Sequence, residues 1–382
     1  MIKTELSELK KRFTQKNCSI TRIAGCYVDG DKSKKGVFSK SFLGLPEEEQ
    51  FKYFELFRKA LSGTPGKTAI DLVFTEEGEK EGGAGEFMLR LRESELKDEA
   101  LLEEYFDRII SSYEYVGNYL ILAVHDAYDV PGKASEGGDM DDASDEVYEY
   151  VFTVLCPVNL SEPGLSYDPA TEEFHNRTRD WVVDKPAKGF LFPSFNMRTS
   201  DIHGMMYYSK DAENIDETFI DYVLNCTLPM TAGTQKQTFS AIVEETLGDK
   251  CGLEAVKNIH EKMGELLEEH KEEPEPLVLE RTDMRRLMES VGAPNDRMKD
   301  FDSHYEVAAG DSAPIMATNI YNPRSFDVKT PDVVIKVKPD RTDLIDEKTI
   351  DGRACVVVEL NGEVEVNGIN VRARAGRGND NE

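Results

Sequence analysis

Three side chains capable of acid–base or metal chemistry stand together in YLILAVHDAYDVPGK: His125, Asp126 and Asp129 follow directly on the apolar run Tyr119–Val124. An imidazole and two carboxylates form a donor set that holds a divalent metal or moves a proton. The ends of strands in α/β sheets are where such ligand groups gather. A second group lies downstream. Asp201 and His203 are two apart in SDIHGMMYY, so a strand would turn both toward one side. His175 lies in EEFHNRTRDW, near Arg177, Arg179, Asp180 and Trp181, the only tryptophan. With His125 these residues make one site only if the fold brings them together, and that site would be a metal-assisted hydrolase or nuclease. The plainer reading gives each a separate structural use. Asp126 and Asp129 then cap a turn before Pro131, His125 satisfies a buried hydrogen bond, and Arg179 pairs with Asp180 beside the indole.

Other motifs fail on inspection. Gly63-Thr64-Pro65-Gly66-Lys67-Thr68 ends like a phosphate loop, but Leu61 stands where that pattern needs its first glycine. The order is also reversed, with a helix before it and a strand after. The stretch 133–149 carries seven acids against Lys133 and reads as a solvated loop. A calcium loop starting at Asp139 would need Asp or Asn at 143 and Gly at 144, where the chain has Ala143 and Ser144. There is no G-x-S-x-G elbow and no H-E-x-x-H helix. No cofactor is therefore expected, and a divalent metal at His125, Asp126 and Asp129 is the one candidate. The six cysteines form no C-x-x-C pair and have no zinc-site spacing. They read as buried free thiols, with no disulfide expected between Cys18 and Cys26.

The 382 residues are 39% hydrophobic and 31% charged, enough for real cores in two or three domains. With 46 basic and 74 acidic side chains the formal charge is −28, which argues against wholesale binding of a phosphate backbone. The balance is uneven, because residues 1–40 hold ten basic and four acidic side chains. That segment either lies on the acidic body of the protein or contacts an acidic partner or nucleic acid. No stretch approaches the ~18 apolar residues of a membrane span. Met1–Phe13 lacks the apolar core of a secretory signal. A soluble, cytoplasmic protein is expected, and nothing in the sequence bears on oligomeric state.

The elements that must position these residues follow from periodicity. Leu6, Leu9 and Phe13 give a short amphipathic helix. Residues 18–43 give two strands joined by a Lys-rich turn. Pro46, Glu47, Glu48 and Glu49 start a helix with Phe51, Phe54, Phe57 and Leu61 on one face. A strand over 67–74, a loop over 75–85 and a helix over about 98–115 come next. The run 119–124 lacks alternation, which fits a strand buried on both faces. A loop over 130–146, a strand over 148–158, several short strands to 210 and a helix over 216–226 complete this part. From 234 to about 302 the pattern is helical, and Val256, Ile259, Met263 and Leu266 form a two-turn seam suited to docking on a neighbouring helix. Beyond 310 the text is β-rich, with Asn361-Gly362 and Asn367-Gly368 as hairpin turns. The expected fold is α/β or α+β. A mixed-sheet domain with packed helices spans 1–230, a helical segment 231–310, and a small antiparallel β module with a frayed tail 311–382.

The stretches CSITRIAGCYVDG (18–30), LPEEEQFKYFELFRKALSG (45–63), YLILAVHDAYDVPGK (119–133), CPVNLSEPGLSY (156–167), RDWVV (179–183), GFLFPSFNMRTSDIH (189–203) and FDVKTPDVVIKV (326–337) resemble the bacterial family catalogued as domain of unknown function 4317. The resemblance runs through nearly the whole chain. It implies one coherent full-length architecture in a bacterial protein and carries over no reaction, cofactor or catalytic residue. With no catalytic pattern intact, the expected class is a non-enzymatic interaction or regulatory protein with a protein partner.

Overall fold

The computed structural model describes residues 1–133, 139–213, 215–273, 275–309, 315–360 and 364–371. The chain divides into two compact units. One is Met1–Thr234; the other is Gln235–Glu273 with the residues from Leu277 onward.

The first unit opens with helix α1 (Lys3–Arg12), strands β1 (Ile20–Val28) and β2 (Lys34–Ser41), helix α2 (Glu47–Ala60) and strand β3 (Ala69–Phe74). Helices α3 (Glu76–Glu79), α4 (Ala84–Glu93) and α5 (Glu99–Ser112) follow, then the two longest strands, β4 (Asn118–Lys133) and β5 (Asp139–Leu160). Short strands β6 (Leu165–Asp168), β7 (Glu173–Asn176), β8 (Trp181–Val183), β9 (Lys188–Phe192), β10 (Ser194–Asn196), β11 (Thr199–Asp201) and β12 (Gly204–Ser209) lead to α6 (Glu217–Tyr222) and β13 (Cys226–Thr227). The main sheet has the order β13–β3–β12–β9–β5–β4–β1–β2. Every ladder along it is antiparallel.

Helices cover both faces of this sheet, which explains the unbroken apolar run on β4. Ile121 and Ala123 enter a core shared with α4, α5 and α6, whereas Leu122 and Val124 enter a second core shared with α1 and α2. A strand buried on both sides has no polar face to alternate with. The helices themselves are locally encoded. Three glutamates occupy the first turn of α2 and Arg58 and Lys59 its last, each sign matched to the helix dipole. The Asp98 carboxylate caps α5 by accepting from the backbone N–H groups of Ala100 and Leu101.

Two expectations change. Residues 75–85, expected as a loop, contain the short helix α3, capped by Thr75. Residues 130–146, also expected as a loop, are largely strand: β4 runs on to Lys133 and β5 begins at Asp139. Pro131 and Gly132 are accommodated by two register shifts, at Val130/Pro131 and Pro131/Gly132. Bulges of this kind let a strand carry residues that a regular ladder rejects. Glu136, one of the acids assigned to that loop, lies outside the described residues.

In the second unit, α7 (Ala232–Leu247), α8 (Leu253–Glu269), α9 (Arg281–Ser290), α10 (Asn295–Lys299) and α11 (Phe301–Ala309) enclose a core that includes Ile242, Met263, Met284, Met288, Phe301 and Tyr305. Ile259 and Met263 carry the seam of α8, which packs against α9, while Val256 is 40% exposed. The two-residue strands β14 (Val278–Leu279) and β15 (Ile315–Met316) pair, and α12 (Ala317–Ile320) follows. The β-rich end forms three separate ribbons: β16 (Phe326–Lys329) with β17 (Val334–Val337), β18 (Ile345–Ile350) with β19 (Arg353–Val358), and β20 (Val364–Val366) with β21 (Ile369–Val371). Asn367 and Gly368 turn the last ribbon at φ 49° and 80°, the positive values a tight hairpin needs. Asn361-Gly362 lies outside the described residues.

Candidate functional site

Strand alternation separates the first group of candidates. His125 points to the α4/α5 side of the sheet and Asp126 to the α1/α2 side, each with almost no exposure. Asp129 is exposed and shares the His125 face, but four residues along a strand is about 13 Å, too far for one ion to bind both. The Nδ1 of His125 lies 2.8 Å from the Thr21 hydroxyl, and its Nε2 is buried with no hydrogen-bond partner among the described residues. Thr21 sits at the register shift between Ile20 and Arg22 of β1, which aims it at the ring. Burial pushes the imidazole pKa below its ordinary value, against the opposing carboxylates of Glu149, Glu95 and Asp126. His125 is therefore a neutral core histidine at pH 7.

Asp126 lies in an aromatic setting. The Tyr150 hydroxyl donates to its Oδ2 at 2.7 Å, and Tyr148 stacks on Tyr150 with ring centroids 4.9 Å apart. Burial raises both phenols well above their ordinary pKa, so they stay protonated. The Arg12 guanidinium covers Tyr128 at 4.5 Å from the ring centre, and the Tyr128 hydroxyl donates to Glu8, which also receives Arg198. These contacts tie α1 to the end of the sheet and leave beside them a groove of about 1100 Å³.

The second group is dispersed. Asp201 accepts from Asn196 and from the backbone of His203 in the β10–β11 hairpin. His203 is exposed and pairs with Glu79 at 2.8 Å, which raises its pKa. His175 is exposed on β7. Among the described residues, no three His, Cys, Asp or Glu side chains are placed to hold a metal ion. All six cysteines are free thiols. In the basic N-terminal segment, Lys32 pairs with Glu114, Lys34 with Glu103 and Asp107, and Lys35 with Asp29. No helix among the described residues is long and apolar enough to cross a membrane.

The segment around His175 has a geometry of its own. β4 pairs with β5 as far as Val158, and β9 only as far as Leu155. From Asn159 onward the main-sheet neighbours end, and among the described residues the chain pairs only with its own return. Val158, Asn159 and Leu160 face Val183, Val182 and Trp181. Ser161 then donates to the Asp180 carbonyl and Arg177 to the Gly164 carbonyl. Leu165–Asp168 closes the ladder against Asn176–Glu173. The paired positions keep one register through the interruption at 162–164, so β5, β6, β7 and β8 form a single two-stranded arm about 30 Å long. In its tip, Leu165, Tyr167 and Phe174 share one face, and Ser166, His175, Asp168 and Glu173 the other. The Tyr167 and Phe174 rings meet across the strands at 5.3 Å. Leu165 is 75% exposed, Tyr167 52% and Phe174 70%.

The sequence profile of the family described as domain of unknown function 4317 matches residues 1–369. The chain belongs to this family. No curated protein and no solved structure matches it. For this member of the 4317 family the match takes in both compact units, including the arm, and the family's description names no reaction.

Residue type and spacing do not single out two features of this 4317-family chain. One is Lys188, which pairs with Asp216 beneath Tyr113 and Phe219, beside a cavity of about 590 Å³. A lysine in VDKPAKGFLF gives no hint of burial; only its place two residues before Phe190 on a strand does. The other is the apolar face of the arm. Its alternation (Leu-Ser-Tyr-Asp, then Glu-Phe-His-Asn) was available, but it reads the same whether that face is covered or bare.

Proposed function

We propose that the protein is a non-enzymatic interaction or regulatory protein that binds a different protein through the tip of the arm. The observation that carries this reading is the exposure of Leu165, Tyr167 and Phe174 together on one face of a two-stranded ribbon. A two-stranded ribbon is marginal in water without a covering layer, and clustered exposed aromatics mark contact surfaces. Trp181, Val182 and Val183 at the base of the arm add further exposed apolar surface. The polar candidates favour the same reading. His125 and Asp126 are built into opposite cores, and Asp201 and His203 are engaged within local turns and ion pairs.

The test is site-specific photo-crosslinking in the native cell, with the reactive side chain placed at Leu165 or at its neighbour Ser166 on the opposite face. A discrete adduct with another protein from position 165, absent or much weaker from 166, is the expected result. Equal adducts from both positions, no adduct, or adducts only with a second copy of the chain would overturn the proposal.

A further inference from the structure

We infer that a depression between α1 and α2 is a binding site for a small phosphate monoester. The basic N-terminal segment divides into two parts. Lys32, Lys34 and Lys35 are taken up by carboxylates of the protein itself. Lys10 and Lys11 are not; among the described residues, neither they nor Arg58 of α2 form an ion pair. These three cations line a depression of about 330 Å³ together with Ser7, Thr14 and Asn17, and no described carboxylate lines it. The spacing of Ser7, Lys10, Lys11 and Thr14 puts them along one side of α1 and the turn that follows it. Leu6, Leu9 and Phe13 enter the core that also holds Phe57. The Phe13 and Phe57 rings stack at 5.5 Å, which brings the next residue, Arg58, to the end of α1.

Helix chemistry accounts for part of this charge. Lys10 and Lys11 lie in the last turn of α1 and Arg58 in the last turn of α2. Each helix end carries about half a negative charge, so three cations leave the depression with an excess of about two positive charges. The Lys11 carbonyl is already covered, accepting from the Thr14 hydroxyl at 3.1 Å and the Asn17 amide at 3.2 Å. The Ser7 hydroxyl donates to the Lys3 carbonyl. The donors left over are two ammonium groups, a guanidinium and the second N–H of the Asn17 amide. A phosphate monoester fits this count, because it brings about −1.5 to −2 charge and three acceptor oxygens in one compact group. A carboxylate or a phosphodiester brings a single charge. To supply two, either would extend beyond the depression over a chain of net charge −28, which repels it. The charge balance therefore favours a small free ester over a nucleic acid or an acidic chain.

The experiment uses the full chain at low salt and phosphorus NMR titrations with methyl phosphate, dimethyl phosphate and a phosphoserine peptide. Lys11→Met and Arg58→Met each remove one cation from the depression. Lys52→Met removes an equal charge from an exposed position of α2 that does not line it. Circular dichroism checks that each variant keeps its fold. The expected result is binding of methyl phosphate by the wild-type chain, about tenfold or more tighter than that of dimethyl phosphate. We expect affinity for methyl phosphate to fall about fivefold in Lys11→Met and in Arg58→Met, and by less than about twofold in Lys52→Met. An equal loss in Lys52→Met would show attraction by charge alone and overturn the inference. So would equal affinity for the two methyl esters, or binding of neither. A phosphoserine peptide bound about tenfold tighter than methyl phosphate would overturn the assignment to a small molecule. None of these results bears on the arm, because the two sites share no residue.

Discussion

Lys188 and Asp216 test whether the polar groups beneath the sheet are structural. The pair retains 14% side-chain exposure on each partner. The Lys188 ammonium lies 5.2 Å from the centre of the Tyr113 ring and 6.0 Å from that of Phe219. Burial lowers the Lys188 pKa, and Asp216 opposes that shift. Lys188→Met removes the cation and leaves the Asp216 carboxylate facing aromatic rings. Breaking a buried pair from one side costs about 3–5 kcal/mol. Asp216 keeps its bond from the backbone N–H of Phe219 at 3.1 Å and some contact with water, so the low end, about 3 kcal/mol, is expected. Asp216→Asn keeps an oxygen for that cap but strands the ammonium, at a similar cost. The double variant has no buried charge and should lie within about 1 kcal/mol of wild type. Urea unfolding followed by far-UV circular dichroism reads these differences. With a slope of about 3 kcal/mol per molar urea, each single variant should lower the midpoint of the first unit by about 1 M. If the two single losses simply add in the double variant, Lys188 and Asp216 are not coupled, and the account of this pocket fails.

Two further outcomes follow from the same burial arguments. His125 binds its proton less readily in the folded chain than in the unfolded one, because burial lowers its pKa. Its contribution is complete above the unfolded value of about 6.5 and is lost as pH falls through the lower folded value. Stability of the first unit should therefore drop between pH 7 and 5, and the drop should be shallower in His125→Gln; an unchanged slope would show that the ring does not titrate as described. Tyr150→Phe removes the hydrogen bond to the fully buried Asp126 and should cost about 2 kcal/mol in thermal or urea unfolding. By contrast, the Tyr207 hydroxyl is buried with no partner among the described residues, so Tyr207→Phe should be neutral or stabilising.

What the sequence makes legible is what neighbouring residues decide among themselves. The acidic first turn of α2 and the Asn367-Gly368 turn are local chemistry, and both stand where the sequence places them. The run 119–124 is also legible, because a strand between two helix layers needs apolar residues at every position. The pairing partners are not. β4 lies between β1 and β5, the former nearly a hundred residues away, and β9 pairs with β5 across the whole arm. No periodicity records such long-range choices. The acids of 139–149 mislead for the same reason. They lower strand propensity residue by residue, but the ladder with β4 is settled by its apolar end, where Val151–Cys156 is buried.

The candidate site was obscured by a related ambiguity. Side-chain type shows which residues can do chemistry; which way each points is a property of register. His125 and Asp126 are adjacent in the chain, and adjacency on a strand puts them on opposite faces, one against α4 and α5 and one against α1 and α2. The spacing that made them conspicuous is what keeps them apart. Leu165, Tyr167 and Phe174 show the converse. They look like ordinary core positions of a short strand, and they become a surface only because β4 and β9 stop pairing before the arm begins. A contact surface made by the absence of a neighbour leaves no residue-type signature, so it emerges only when the register of β5 is followed past Val158.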